Sequence, residues 1–175
     1  MQISDGGNVM EVDGDREGHV HSRSLGEIEV EGGKTGLAFA YAITLNATAN
    51  DVVLGLLNPT NSGRLFKATQ VLIGTDTAGA LRMSMATGTP AGGATTPASL
   101  RQGIEPAQPG TVHGGAAAVT GMTEGAKIAY VRLAANTTFP IDLRGVTLDE
   151  GDAIVAITAV SGNVYVSLFG YWVEK

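Results

Sequence analysis

The segment GLAFAYAITLNA, residues 36–47, alternates large apolar side chains with small or polar ones. In an extended chain successive side chains point to opposite faces, so this period of two predicts a strand with one apolar face. The large residues that share this face are Leu37, Phe39, Tyr41, Ile43 and Leu45. The segment therefore predicts a β-strand that covers one side of a hydrophobic core.

Short strand patterns joined by turn residues continue to the end of the chain. Pro59, Gly63 and the tripeptide at 161–163 are turn signals of the kind that separates strands. No segment has a sustained 3.6-residue apolar stripe, so we predict an all-β protein, an antiparallel β-sandwich of jelly-roll type. The further strands are predicted at residues 52–57, 65–74, 80–86, 116–122, 127–134, 137–143, 153–160 and 164–173.

The N-terminal part of the chain differs in composition from the rest. Residues 1–36 contain eight acidic residues, three basic residues and no aromatic one, whereas every Phe, Tyr and Trp follows. A charged, Gly-rich segment of this kind buries little apolar surface. We therefore predict an extended acidic arm at residues 1–35, which could span roughly 100 Å, and a sandwich domain at residues 36–175.

A second unusual segment lies between residues 86 and 111. It holds four of the six prolines and two charged residues, Arg101 and Glu105. Loops longer than about 15 residues without structure of their own are usually functional or disordered. Two interpretations stay open, a flexible surface insertion and a loop that contacts a neighbouring subunit. Under the second interpretation the loop residues expected at the subunit interface are Pro90, Pro97, Arg101, Pro106 and Pro109.

Composition argues against several classes of protein. The chain has no cysteine, so disulfides and thiolate chemistry are excluded. Its net charge of −6 comes without the Lys and Arg clusters that phosphate contacts need, so we expect no nucleic-acid partner. No apolar run approaches the length of a membrane span, and the N-terminus lacks the basic and apolar regions of a signal peptide. We expect a soluble protein made without export and without a membrane partner.

The best metal candidates are two histidines at alternate positions, His19 and His21. Alternate strand residues point the same way and imidazole is a common ligand, but only His113 could supply a third ring. Exposed histidines on a polar strand are the favoured explanation. No catalytic motif for a nucleophile, a phosphate-binding loop or a dinucleotide is present, so we expect no cofactor.

The segment 13–18 resembles the opening of a calcium loop. Asp13 and Asp15 stand at ligand positions and Gly18 occupies the turn position, but Ser24 falls where a bidentate glutamate is needed. We therefore expect no calcium site of this type, and at most an adventitious cation at Asp13 and Asp15.

The final predicted strand is apolar on both faces. Its large residues Val164, Val166, Leu168 and Trp172 share one phase, which we assign to the core. A sandwich strand with one wet face would not require the second apolar face. We therefore predict that the other face packs on a second subunit through Tyr165, Phe169 and Tyr171.

Three segments together resemble small structural proteins of tailed-phage virions. They are the strand-like residues 18–24 with the acidic residues 27–31, the run from Ile43 through 52–63 with its Leu-Asn-Pro turn, and the acidic turn at 148–152. The resemblance implies a jelly-roll-like sandwich in a head or tail protein that is often trimeric. It supplies no catalytic residues.

These observations predict a non-enzymatic virion structural protein. The expected role is capsid decoration, or cement, in which a homotrimer contacts the major capsid protein of a particle assembled in the host cytoplasm. The alternative is a receptor- or carbohydrate-binding module of a tail, collar or fibre. A cupin-like enzyme is a third interpretation, but its His-x-His pair belongs on a barrel strand, whereas His19 and His21 lie in the predicted arm.

Overall fold

The computed structural model describes residues 2–5, 8–11, 38–93, 97–100 and 110–175. Within these residues the chain is all β, with two antiparallel sheets packed on one core, so the predicted β-sandwich is confirmed. The strands are β1 (Gln2–Asp5), β2 (Asn8–Glu11), β3 (Ala38–Ala47), β4 (Val52–Leu57), β5 (Arg64–Thr75), β6 (Gly79–Ala91), β7 (Ala98–Ser99), β8 (Thr111–Leu133), β9 (Thr137–Asp142), β10 (Thr147–Leu148), β11 (Ala153–Thr158) and β12 (Gly162–Glu174).

The first strands form a hairpin within the predicted arm. β1 and β2 pair antiparallel, with Gln2 opposite Glu11 and Asp5 opposite Asn8. Residues 2–5 and 8–11 of the predicted arm therefore pair with each other as strands, which backbone hydrogen bonds allow without an apolar core. The remainder of the predicted arm, residues 12–35, lies outside the described residues.

The first sheet has the order β10–β5–β12–β3–β7. The central strand β12 pairs with β3 from Gly162 to Tyr171 and with β5 from Val164 to Glu174. β9 pairs with residues 70–75 of β5, on the edge that β10 uses at residues 66–67. The C-terminal strand therefore lies in the middle of the sheet, where a strand can be covered on both faces.

The second sheet closes on itself as β11–β4–β8–β6. The long strand β8 pairs with β4 through Thr111–Val119 and with β6 through Thr120–Leu133. Sequence patterns predicted two strands here, and the structure corrects this to one. Gly114, Gly115 and Gly121 have positive φ angles, a conformation that costs glycine little, so one strand can bend between two partners.

Closure of the second sheet creates a small core on the outer side of β11. Ala153, Val155 and Ile157 pack there with Ala86, while the alternate residues of β11 face the main core. Pro90 is also buried on this side, near Gly55, whose missing side chain leaves room for Val119. The predicted loop at 86–111 is therefore wrong for residues 86–91, which continue strand β6, and for residues 98–99, which form β7.

An aromatic cluster occupies one end of the main core. The ring centroids of Tyr41 and Phe66 are 5.9 Å apart, and those of Phe66 and Trp172 are 5.0 Å apart. The Trp172 indole nitrogen donates a hydrogen bond of 3.1 Å to the Tyr41 hydroxyl, and burial raises the pKa of Tyr41. The Phe66 ring packs directly on Gly170. A Cβ at position 170 would overlap the ring and lie 2.6 Å from the Lys67 carbonyl oxygen.

The two ends of the sandwich differ. At the turn end, short turns at residues 48–51, 76–78, 134–136 and 159–161 are tied together by backbone hydrogen bonds such as Asn50 to Thr158 and Asn136 to Thr75. The loop end carries residues 58–63 and 143–152. Here Leu100 bonds to Ala38, Lys175 bonds to Gly63, and Gly110 lies against Trp172.

Candidate assembly surface

Register in the first sheet aligns outward-facing residues into three rows. Each row crosses β9, β5, β12 and β3 in turn. We call this surface the outer face. Its rows are Asp142, Gln70, Phe169 and Ala40, then Pro140, Leu72, Ser167 and Ala42, then Thr138, Gly74, Tyr165 and Thr44.

The orientation of the outer face follows from strand alternation. Neighbouring residues in sequence point to opposite faces of a sheet. Val71, Ile73, Val166, Leu168 and Ile43 are buried in the core, so the residues between them point away from it. The pattern is maintained across all four strands because the register shift between β5 and β12 occurs only beyond Phe169.

The outer face is almost free of charge. Its one charged residue is Asp142, at the β9 edge, and the Arg144 guanidinium binds it through contacts of 2.9 and 3.0 Å from Nε. Hydrogen bonds from Arg144 hold the pKa of Asp142 at about 2. The rest of the surface is Ala, Thr, Ser, Gln, Gly, Pro, Leu and aromatic side chains. Such a surface contrasts with the chain as a whole, whose net charge is −6.

Two of the predicted interface residues meet on the outer face. Tyr165 is 45% exposed and Phe169 is half-buried, in rows separated by that of Ser167. Tyr171 is different. It has the phase of Tyr165 but is only 1% exposed, and the Lys67 ammonium lies 5.8 Å from its ring centroid. The assignment of Tyr171 to an exposed interface is therefore corrected, because its ring is already buried within the subunit.

The remaining predicted interface residues are not brought together there. Pro90 is buried in the second sheet, and Pro97 is half-buried just before β7. Arg101, Pro106 and Pro109 lie outside the described residues. The members on β5 and β9, such as Leu72 and Pro140, were missed by sequence reasoning. Their alternation with core residues was visible, but their adjacency to β12 depends on long-range pairing.

The candidate metal ligands give no site that the structure describes. His19, His21, Asp13 and Asp15 lie outside the described residues. Across the described ranges no group of three His, Asp or Glu side chains is placed to hold a metal ion. His113 is half-buried, and its Nδ1 lies 2.7 Å from the Gly92 carbonyl oxygen.

A polar cluster on the outer side of the second sheet was not predicted. Glu124 accepts hydrogen bonds from Arg82 Nε at 2.7 Å, Arg82 Nη2 at 3.0 Å and the Ser84 hydroxyl at 2.8 Å. The Arg82 and Glu124 side chains are 17% and 25% exposed, while Ser84 is fully buried. The cluster joins β6 to β8 across the edge of the small core, which assigns it a structural role.

Stability should depend on pH through Glu124. Hydrogen bonds from Arg82 hold the pKa of Glu124 below its ordinary value of 4.5. The Glu124 carboxylate therefore takes up a proton less readily in the folded protein than in the unfolded chain. Glu124 therefore stabilises the fold above pH 4.5, and the contribution is lost as pH falls through the lowered folded-state pKa. We expect Glu124→Gln to lower the urea midpoint at about pH 7 and to differ less from wild type at about pH 3.

The matched control is Glu174→Gln, a change at an exposed position near the C-terminus. It should leave the urea midpoint close to that of wild type under both conditions. An equal loss of stability for Glu124→Gln in acid and at neutral pH would show that the ionised carboxylate is not what stabilises this cluster.

The described residues contain no helix long and apolar enough to cross a membrane. The fold and the outer face together define the class of this protein: an antiparallel β-sandwich with one sheet face whose three rows carry a single charged residue. Comparisons with protein-family models, curated proteins and solved structures found no match to the chain.

Proposed function

We propose that the protein is a non-enzymatic structural protein that assembles with copies of itself through the outer face. We propose further that it belongs to a phage virion, with capsid decoration as the favoured position. The uncharged outer face is the observation that carries the assembly role. The virion assignment is supported by the sequence resemblance given above.

Charge favours a second copy of this chain as the occupant of the outer face. Identical subunits with a net charge of −6 repel one another, and the repulsion is strongest where acidic surfaces meet. A basic partner would be matched by an acidic surface, but the outer face offers only Asp142, which Arg144 already pairs. An uncharged face is one that two identical copies can bury without leaving an unpaired charge.

The area of the outer face indicates that other segments also contribute to the contact between subunits. Three rows across four strands cover about 400 Å², from strand spacings of about 4.8 Å and row spacings of about 6.8 Å. A stable interface buries about 800 Å² on each partner. Residues 101–109 join the sandwich at Leu100 and Gly110, and the chain enters it at Ala38, all at the loop end. We propose that these segments supply the remaining area on neighbouring subunits.

We propose further that the sandwich is of jelly-roll type, and strand order supports this. One sheet contains β3–β12–β5–β9 and the other contains β4, β11, β6 and β8. Successive main strands alternate between the sheets, from β3 to β4, β4 to β5, β5 to β6, β8 to β9 and β11 to β12. A jelly roll is a double sheet made from two Greek keys, and crossing connections of this kind are what it requires.

Virion fractionation tests the proposed function. Particles purified from the source on a density gradient should contain the chain in a fixed ratio to the major capsid protein, as measured by mass spectrometry. For a decoration protein, that ratio should also be found in tailless heads. The virion proposal fails if the chain stays with soluble proteins, and the decoration role fails if the chain is present only in particles that carry tails.

The second candidate function is a receptor- or carbohydrate-binding module. It is favoured by Tyr130, an aromatic residue that is 55% exposed beside a depression in the second sheet. The depression is on a different surface from the outer face, so the two functions are compatible.

A further inference from the structure

A shallow depression of about 420 Å³ lies at the turn end, on the outer side of the second sheet. Its floor is built from small apolar side chains, among them Ala80, Ala159 and Val160. Tyr130 and Arg132 of β8 form one wall. The volume falls in the range of about 300–1,000 Å³ that is usual for small-molecule sites, which also combine an apolar lining with few polar groups.

Register fixes the two wall residues side by side. Tyr130 lies opposite Arg82 and Arg132 lies opposite Ala80, so both side chains point to the outer side of the sheet. The Tyr130 ring is 55% exposed. Arg132 is also exposed and, within the part of the chain that the structure describes, makes no ion pair, whereas Arg82 and Arg144 each bind a carboxylate.

We propose that this depression binds one acidic sugar residue, a pyranose ring that carries a carboxylate. The exposed Tyr130 side chain offers an aromatic surface to the C–H groups of a pyranose, and the floor adds apolar contacts. Arg132 supplies a planar guanidinium, which binds a carboxylate through two parallel hydrogen bonds. The sugar hydroxyl groups would point into solvent, because the floor residues have no polar side-chain atoms.

The chemistry of Tyr130 and Arg132 favours an acidic sugar over other small ligands. Tight phosphate binding uses several backbone N–H groups or clustered cations, whereas this wall has one guanidinium, without an ion pair among the described residues, beside an aromatic ring. A purely apolar ligand would leave Arg132 without a partner. One ring contact and one ion pair predict a dissociation constant in the millimolar range.

The position of the depression allows binding while the protein is assembled. It lies at the turn end on the second sheet, whereas the outer face belongs to the first sheet and residues 101–109 join at the loop end. Several copies in one assembly would present several such sites, and linked weak sites gain avidity. The inference deepens the second candidate function given above and rests on it, and it does not depend on the virion assignment.

An NMR titration of the full chain with methyl glucuronide tests the proposal. We expect saturable shifts at the backbone amides of Ala80, Tyr130 and Arg132, and a much weaker response to methyl glucoside, which lacks the carboxylate. Arg132→Gln and Tyr130→Ala should each weaken binding by about tenfold. The matched control is Arg144→Gln, at an exposed arginine in the turn after β9, which should bind as wild type does.

Three results would overturn the proposal. The first is no saturable shift up to about 50 mM glycoside, which is beyond the predicted affinity range. The second is equal binding of the charged and neutral glycosides, or binding that Arg132→Gln leaves unchanged. The third is dissociation of the oligomer by Arg132→Gln without any sugar binding, which would identify a second copy of the chain as the occupant.

Discussion

Replacing Trp172 with alanine is expected to lower the free energy of unfolding by about 3–5 kcal/mol, the usual cost of truncating a large aromatic residue in a core. The Trp172 side chain is 1% exposed, contacts Phe66 and donates a hydrogen bond to Tyr41. Gly110 packs so closely on the indole that a Cβ there would lie within 2.5 Å of it, so the cavity would open directly under the loop end. Urea denaturation followed by circular dichroism measures the loss.

Tyr165→Ala is the matched control on the same strand. Tyr165 is 45% exposed on the outer face, so its truncation should cost about 1 kcal/mol or less in a dilute subunit. Equal losses for the two variants would contradict the assignment of Trp172 to the core and of Tyr165 to the surface.

A glutamate at the β3 end of the middle row of the outer face is expected to dissociate the oligomer. Ala42 lies exposed in the middle row, so Ala42→Glu should fold normally as a subunit. Burying an unpaired carboxylate between copies costs about 3 kcal/mol, which raises the dissociation constant about 100-fold. Sedimentation equilibrium over a range of concentrations measures the change.

The control places the same charge on the other sheet. Thr87 is exposed on β6, and Thr87→Glu changes the net charge equally without touching the outer face. It should leave the dissociation constant close to that of wild type. If both variants weaken association to the same degree, the effect comes from total charge and the outer face is not the contact surface.

Much of the fold could be predicted from local patterns. Alternation in residues 36–47 predicted strand β3 and the buried phase of Phe39, Tyr41, Ile43 and Leu45. The period of two is enforced by the pleat and needs no knowledge of partners. The same argument assigned Trp172 and its phase to the core.

The failures arose where tertiary pairing overrides local signals. Local patterns predicted two strands at residues 116–122 and 127–134, but in the structure one strand, β8, runs through both and bends between β4 and β6. Pro90 contributed to the predicted loop, yet it lies buried in strand β6. Prolines and glycines restrict backbone conformation, but which neighbour a strand meets depends on the whole fold.

The candidate surface was predictable only in part. The apolar outer phase of β12 indicated Tyr165 and Phe169, but their neighbours Leu72 and Pro140 come from strands roughly 100 and 30 residues earlier in the sequence, which only long-range register aligns. The pair of Arg82 and Glu124 is likewise separated by 42 residues. No local sequence motif predicts a contact between residues so far apart in the chain.

Thiol labelling tests the central claim, burial of the outer face between copies, most directly. The chain has no cysteine, so a single Ala42→Cys substitution gives one reactive thiol in the middle row. Labelling by a maleimide under reducing conditions should slow several-fold as protein concentration rises through the oligomerisation range, while Thr87→Cys should label at a constant rate. Equal, concentration-independent labelling of the two positions would contradict the account.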